Sequence, residues 1–226
     1  MITGHISKRQ IKYFQKKLIL WFEENGRKFP WRKKRLSNYQ RIISEVLLQR
    51  TKAETVAKFY PKFIKSYPSW KSLASVREED LKICLKPLGL YKQRAPRLLG
   101  LAKEIARKNG RFPKNRKELE TIPFVGQYIA NAILLFVHNN PEPLLDVNMA
   151  RLLERFFGPR KLVDIRDDPY LQNLSKRVVD HENPRDLNWA ILDFATIICK
   201  VRNPLCTNCI LKSKCEYFGK NFIQLN

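Results

Sequence analysis

The amino-acid sequence predicts an all-α fold, and three observations carry the prediction. Apolar residues recur three and four positions apart through most of the chain, the period of a helix with one buried face. Glycine is scarce, 8 in 226 residues, and the apolar–polar alternation of a half-buried strand is rare. Prolines 87, 113, 123, 141, 143, 184 and 204, with Gly89, divide the chain into pieces of helix length.

The elements follow in order. Phe14, Leu18 and Phe22 fall four apart on one face, with Lys12 and Lys16 elsewhere, and Asn25-Gly26 ends that first helix. Residues 38–49 carry Ile42, Ile43, Val46 and Leu47, and residues 52–65 carry Val56, Phe59, Tyr60 and Phe63. Ser69 can cap a further helix. Ser75 is the better cap, because Glu78 three residues later completes a capping-box pattern. Helices are also predicted over Lys114–Thr121, Gln127–Val137 and Val147–Phe157.

Composition bounds the function. Lys and Arg number 44 against 21 Asp and Glu, a formal net charge of +23. Residues 1–35 hold eleven Lys and Arg against Glu23 and Glu24. So much charge is neutralised most simply by a polyanion, with nucleic acid the first candidate. A merely lysine-rich, solvated or thermophilic surface is the other reading, and for any single lysine of Lys33-Lys34-Arg35 the better one. The hydrophobic content of 44%, with 13 Phe, 8 Tyr and 4 Trp, supplies a core and argues against disorder. No apolar run approaches the ~20 residues of a membrane span. Met1–His5 lacks the apolar stretch of a signal peptide. The expectation is a cytoplasmic, DNA-associated protein with no membrane partner.

Five cysteines are present. Cys84, within Leu81–Leu85, reads as a small buried hydrophobe. Cys199, Cys206, Cys209 and Cys215 form C-x6-C-x2-C-x5-C. An odd total argues against a disulfide framework. Four thiolates so close suit a tetrahedral metal or an iron–sulfur cluster. Zinc more often uses two C-x2-C knuckles. One tight pair with wider gaps and no nearby histidine favours a [4Fe–4S] cluster, with zinc the minority reading.

Ile122-Pro123-Phe124-Val125-Gly126-Gln127-Tyr128 lies between two predicted helices, so proline and glycine form a tight hairpin. Glycine there lets a phosphate approach the backbone N–H groups that open the second helix. About twenty residues on, Asp146 follows two leucines and opens a helix. It reads either as an N-cap or as a carboxylate aimed at a reacting centre. His5, His138 and His181 form no constellation.

The hairpin Ile122–Gly126, Asp146 and the cysteine tail, in that order, resemble the helix-hairpin-helix DNA glycosylases with an iron–sulfur cluster, the endonuclease III superfamily. The resemblance covers roughly residues 28–217. It implies two helical lobes with a DNA groove between them. A six-helix lobe with the hairpin would span 30–140. Residues 1–29 and 141–226 would form the second lobe, ending in the cluster loop. Glu45, in Ser44-Glu45-Val46-Leu47-Leu48-Gln49-Arg50-Thr51, resembles the catalytic glutamate of MutY-type adenine glycosylases and of thymine–guanine mismatch glycosylases. Endonuclease III proper lacks it. Tyr128 stands where bifunctional members carry the Schiff-base lysine, and a phenol cannot form an imine. Tyrosine there is the mismatch-glycosylase pattern, whereas MutY proteins typically have serine. Phe29-Pro30-Trp31-Arg32 and Arg185-Asp186-Leu187-Asn188-Trp189 are similar to the same group. The chain stops eleven residues after Cys215, so the C-terminal domain of MutY proteins is expected to be absent. Three positions depart: Gln49 replaces one arginine of a double-arginine motif, Tyr91 is more like MutY and endonuclease III, and Phe124 replaces a hairpin glycine.

The resemblance implies a monofunctional glycosylase acting as a monomer on mismatched double-stranded DNA, releasing thymine or uracil opposite guanine without lysine-dependent lyase chemistry. Asp146 would stabilise the sugar cation and orient water. Glu45 would bond to the flipped base, and Tyr128 would pack against the nucleotide. Arg50, beside Gln49, would fill the vacated stack. Val125, Gly126 and Gln127 would hold the phosphate backbone, where the family also allows a monovalent cation. Tyr91, Lys200 and Arg202 would touch DNA, and the four clustered cysteines would hold the [4Fe–4S] group. A MutY-type adenine glycosylase is the alternative enzyme. A catalytically silent DNA-binding module is the alternative of another class, against which intact Glu45 and Asp146 count.

Overall fold

The computed structural model describes residues 6–223. The expectation placed on Met1–His5, and His5 itself, lie outside them. Among the described residues all regular structure is helical. The α-helices are α1 (Lys8–Asn25), α2 (Asn38–Leu48), α3 (Ala53–Ser66), α4 (Trp70–Ala74), α5 (Glu78–Leu85), α6 (Tyr91–Arg107), α7 (Arg116–Glu120), α8 (Gln127–Phe136), α9 (Val147–Phe157), α10 (Pro169–Val179), α11 (Pro184–Ile197) and α12 (Glu216–Phe218). No described helix is long and apolar enough to cross a membrane.

The chain divides into two compact units. One is Lys28–Asn139, and the other joins the residues up to Arg27 to those from Asn140 onward. The first holds α2 to α8, seven described helices where six were expected. The five-residue α4 and α7 account for the short pieces. Within it α6 packs against α4 and α5, and α2 against α3 and α8. In the second unit α1 packs against α11, and α9 against α10, α11 and α12. Its core gathers Phe14, Leu18, Met149, Leu153, Phe156 and Phe194, all essentially without exposed surface.

Local chemistry sets the helix ends. Ser7 opens α1 by accepting from the Gln10 backbone N–H. Gly26 closes it in an extended conformation, not a left-handed one. Glycine is needed there for space, since a Cβ would meet Phe22 O at 2.6 Å and the Phe22 ring at 2.7 Å. The capping-box expectation at Ser75 is corrected. Ser69 caps α4, in a box closed by Ser72. Ser75 ends α4 and donates to Ser72 O at 2.9 Å. Arg77 precedes α5 without a side-chain cap.

Candidate catalytic residues, DNA contacts and metal centre

In the unit Lys28–Asn139, α2 starts at a reciprocal capping box between Ser37 and Gln40. Its buried face carries Ile42, Ile43 and Leu47, and Glu45 lies on that face only 3% exposed. A glutamate on a solvated helix surface is thereby excluded. A carboxylate so buried needs a polar partner, and the Tyr128 hydroxyl, from the first turn of α8, donates to Glu45 Oε2 at 2.8 Å. Tyr128 itself is half-buried.

The turn from α7 into α8 is tight: Val125 N–H donates to Ile122 O at 3.1 Å, and Val125 is buried. Phe124 adopts φ +68°, a left-handed conformation costing roughly 1–2 kcal/mol outside glycine. Its ring lies on Gly100 of α6, where an added Cβ would meet Phe124 Cε2 at 2.7 Å. Gly126 precedes α8 in an extended conformation with no side-chain cap, and a Cβ there would meet nothing within 4 Å. Nothing among the described residues therefore demands glycine at 126. Half-buried Gln127 opens α8. In the same unit Gln49 and Arg50 follow α2, exposed, with Arg50 at φ +56°. Tyr91 opens α6, half-buried.

In the other unit Asp146 is the N-cap of α9. Its Oδ1 accepts from the backbone N–H groups of Asn148 and Met149, both at 2.8 Å, and its Oδ2 from Asn148 Nδ2 at 2.8 Å. The carboxylate is half-buried and held in one orientation. The capping role is thus real, and it does not exclude a chemical one. The segment leading into it is fixed by fully buried Asn188 of α11. Asn188 Oδ1 accepts from Leu144 N–H at 2.7 Å, and its Nδ2 donates to Glu142 O and Pro184 O.

A second chain of bonds runs from Asp146 along α9. Asn148 Oδ1 accepts from Arg151, whose guanidinium also donates to Cys199 O at 3.0 Å and Ala195 O at 2.7 Å. One turn on, Arg155 donates to Lys200 O at 2.6 Å and Val201 O at 3.1 Å, approaches Cys199 Sγ at 3.5 Å and stacks over Tyr217. Lys200 and Arg202 are exposed on the loop so fixed. Asn148, Arg151 and Arg155 were not singled out by sequence, and Asn188 entered only within the segment Arg185–Trp189, with no role given to it. Only the i, i+3 step from Asn148 to Arg151 carried a signal.

Cys199, Cys206, Cys209 and Cys215 line one pocket with apolar neighbours such as Leu152, Phe156 and Ile198. Burial pushes the Cys209 thiol up to about 11, offset in part by the Leu211 N–H and reinforced by Cys215, Cys199 and Cys206. Burial likewise raises Cys206, with Cys199 and Cys215 adding to it. Burial raises Cys215 against the opposing Phe218 and Tyr217 N–H groups. Sulfurs crowded this way resist ionising unless a cation shares the pocket. Among the described residues no group of three or more His, Cys, Asp or Glu side chains is placed to hold a single metal ion.

Comparison with known proteins gives concordant results. A family described as the HhH-GPD superfamily base excision DNA repair protein matches residues 43–182. A thymine-DNA glycosylase of Aeropyrum pernix is 38% identical over 221 residues, spanning 96% of this chain and 99% of that one. An adenine DNA glycosylase of Buchnera aphidicola subsp. Baizongia pistaciae is 32% identical over 220 residues, spanning 94% of this chain and 61% of that one. A solved thermostable thymine-DNA glycosylase matches with a TM-score of 0.86 at 31% identity, covering 94% of this chain and 98% of that chain.

Proposed function

The chain belongs to the HhH-GPD superfamily of base excision DNA repair proteins, and within it we propose a monofunctional DNA glycosylase that hydrolyses the N-glycosidic bond of thymine or uracil opposite guanine. The observation that carries this reading is buried Glu45 bonded to Tyr128. It joins a carboxylate suited to a base with a phenol at the position where lyase relatives hold an amine. Similarity to thymine-DNA glycosylases along nearly the whole chain supports the choice of base.

The target nucleotide leaves the duplex, at least cost from a mismatch. Arg50 replaces it and bonds to the orphaned guanine, whose O6 and N7 suit a guanidinium. Val125, Gly126 and Gln127 receive a backbone phosphate at the uncapped start of α8, where a monovalent cation would join it. Tyr91, Lys200 and Arg202 add DNA contacts. Glu45 bonds to the extruded base as the glycosidic electron pair passes onto it, and Tyr128 fixes that carboxylate and packs on the nucleotide. Asp146 faces the cationic sugar and orients the water whose oxygen bonds to C1′, its released proton passing to solvent or base. Tyr128 offers no amine for an imine, so the sugar–phosphate strand stays intact.

Cys199, Cys206, Cys209 and Cys215 are the residues that would hold a [4Fe–4S] cluster. Their shared pocket, with Arg155 beside Cys199 Sγ, fits an anionic metal–sulfur group. A cluster distributes its four ligands over several irons and does not require them to converge on one ion. Cys199 and Cys206, so ligated, would anchor the loop between them that bears Lys200 and Arg202. Duplexes with T·G, U·G, A·G or adenine opposite oxidised guanine, incubated with protein and then alkali, test the reading. Cleavage at T·G and U·G supports it, and cleavage confined to adenine gives the MutY-type alternative.

A further inference from the structure

The turn between α2 and α3 presents Arg50 from an unusual backbone. Arg50 is exposed, and its side chain makes no hydrogen bond among the described residues. Its direction is therefore set by its left-handed backbone, φ +56°. Such a conformation persists in a non-glycine residue only where the surroundings impose it.

The imposing group is Arg94, in the first turn of α6. One guanidinium nitrogen donates to Leu47 O at 2.9 Å. The other donates to Gln49 O and to Thr51 Oγ1, the latter at 2.5 Å. Thr51 Oγ1 passes a longer bond to Leu88 O at 3.4 Å, and Thr51 N–H closes onto Leu48 O at 3.0 Å. Arg94 thus bridges the orphan carbonyls at the end of α2 to the residue after Arg50. It is half-buried, and among the described residues no carboxylate pairs with it. Burial lowers its pKa, as expected of a cation with no counter-ion. Such a charge adds little to stability by itself, yet its planar fork meets oxygens on both sides of one residue, which a lysine cannot do.

We propose that Arg94 is a positioning residue for Arg50, locking the 47–51 turn so that the Arg50 side chain points into the duplex as the target base leaves. The inference rests on the reading above that Arg50 bonds to the orphaned guanine. It concerns a residue whose guanidinium is engaged by the turn itself and which acts through Arg50.

A double-mutant cycle tests it, by single-turnover excision on whichever mispair the wild type cleaves. R50A and R94M are each expected to slow excision about tenfold or more, and R50A/R94M to fall within about twofold of R50A. With the target base opposite an abasic gap, where Arg50 has no guanine to meet, R94M should stay within about twofold of wild type. A general loss of folding would slow both substrates alike. Should R94M fold poorly, R94K and T51V remove part of the clamp and are expected to be silent in the R50A background. Multiplicative loss in the double variant, or equal slowing on the abasic-opposed substrate, overturns the role of Arg94. Undiminished excision by R50A overturns the reading of Arg50 instead, and the Arg94 proposal falls with it.

Discussion

Tyr128 donates its hydroxyl hydrogen to Glu45 Oε2 at 2.8 Å, joining residues 83 positions apart. Two side chains that the resemblance treats as separate contributors are one bonded pair. The phenol orients the carboxylate, so the effect of changing Tyr128 should appear in the chemical step as well as in binding.

Tyr128→Phe isolates that bond. The ring and its packing remain, and only the O–H is lost. A hydrogen bond to a charged group is worth about 1.5–3 kcal/mol, so excision under single turnover should slow by roughly tenfold or more. Affinity for mismatched duplex should change by less than about threefold, and the melting temperature little. Undiminished excision would mean that Glu45 needs no orientation from Tyr128.

Asp146→Asn separates chemistry from folding. Asparagine caps helices about as well as aspartate, so α9 should keep its start, and the melting temperature should fall only by what the lost Asn148 Nδ2 bond to Oδ2 contributes. Excision should fall by at least about 10²–10³, while mismatch binding holds or tightens, because ground-state grip is retained. Asp146→Ala should lose excision and also about 1 kcal/mol of stability. Retained excision by the asparagine variant would remove Asp146 from the mechanism.

Much of this was legible in the sequence because it is local. The spacing of Phe14, Leu18 and Phe22 predicts α1, and all the residues of that face are close neighbours on one helix. Proline and glycine mark the hairpin, and Asp146 after Leu145 marks the start of α9. Ser75 misled because a capping box is a pattern of four residues, and Ser69 with Ser72 satisfies it just upstream. Arg94 was invisible for the opposite reason. Its acceptors lie 43 to 47 positions away and two are backbone carbonyls, which no residue type announces. The burial of Glu45 was equally hidden, since a lone glutamate on a helix is usually solvated.

Acid should weaken the second unit through Asp168. This fully buried carboxylate caps α10 through Leu171 N–H at 2.7 Å and holds Lys161 N–H and Leu162 N–H at 2.8 Å. Burial pushes its pKa up, but the Leu162, Leu171 and Lys161 N–H groups outweigh burial and hold it below the usual carboxylate value. The folded pKa is depressed, so its contribution is complete above the unfolded value near ~4 and disappears as pH falls through the folded one. Asp168→Asn places an amide against N–H donors and should cost about 2–3 kcal/mol at pH 7. Melting curves of variant and wild type should converge as pH falls below the unfolded value and through the depressed folded one. A pH-independent difference would contradict the assignment.

Protein purified without oxygen should be brown and carry about four irons per chain. Removing the iron should free the loop of Lys200 and Arg202, weakening duplex binding more than it slows excision at saturating protein. Stoichiometric zinc without iron would show that the cysteines hold another metal.

The most direct measurement is single-turnover excision from T·G and A·G duplexes in competition, with borohydride in a parallel tube and strand breaks read before and after alkali. The account predicts thymine release in preference to adenine, an abasic strand cut only by alkali, and little or no trapped protein–DNA adduct. Preferential adenine release, or efficient borohydride trapping by the wild-type protein, would contradict it.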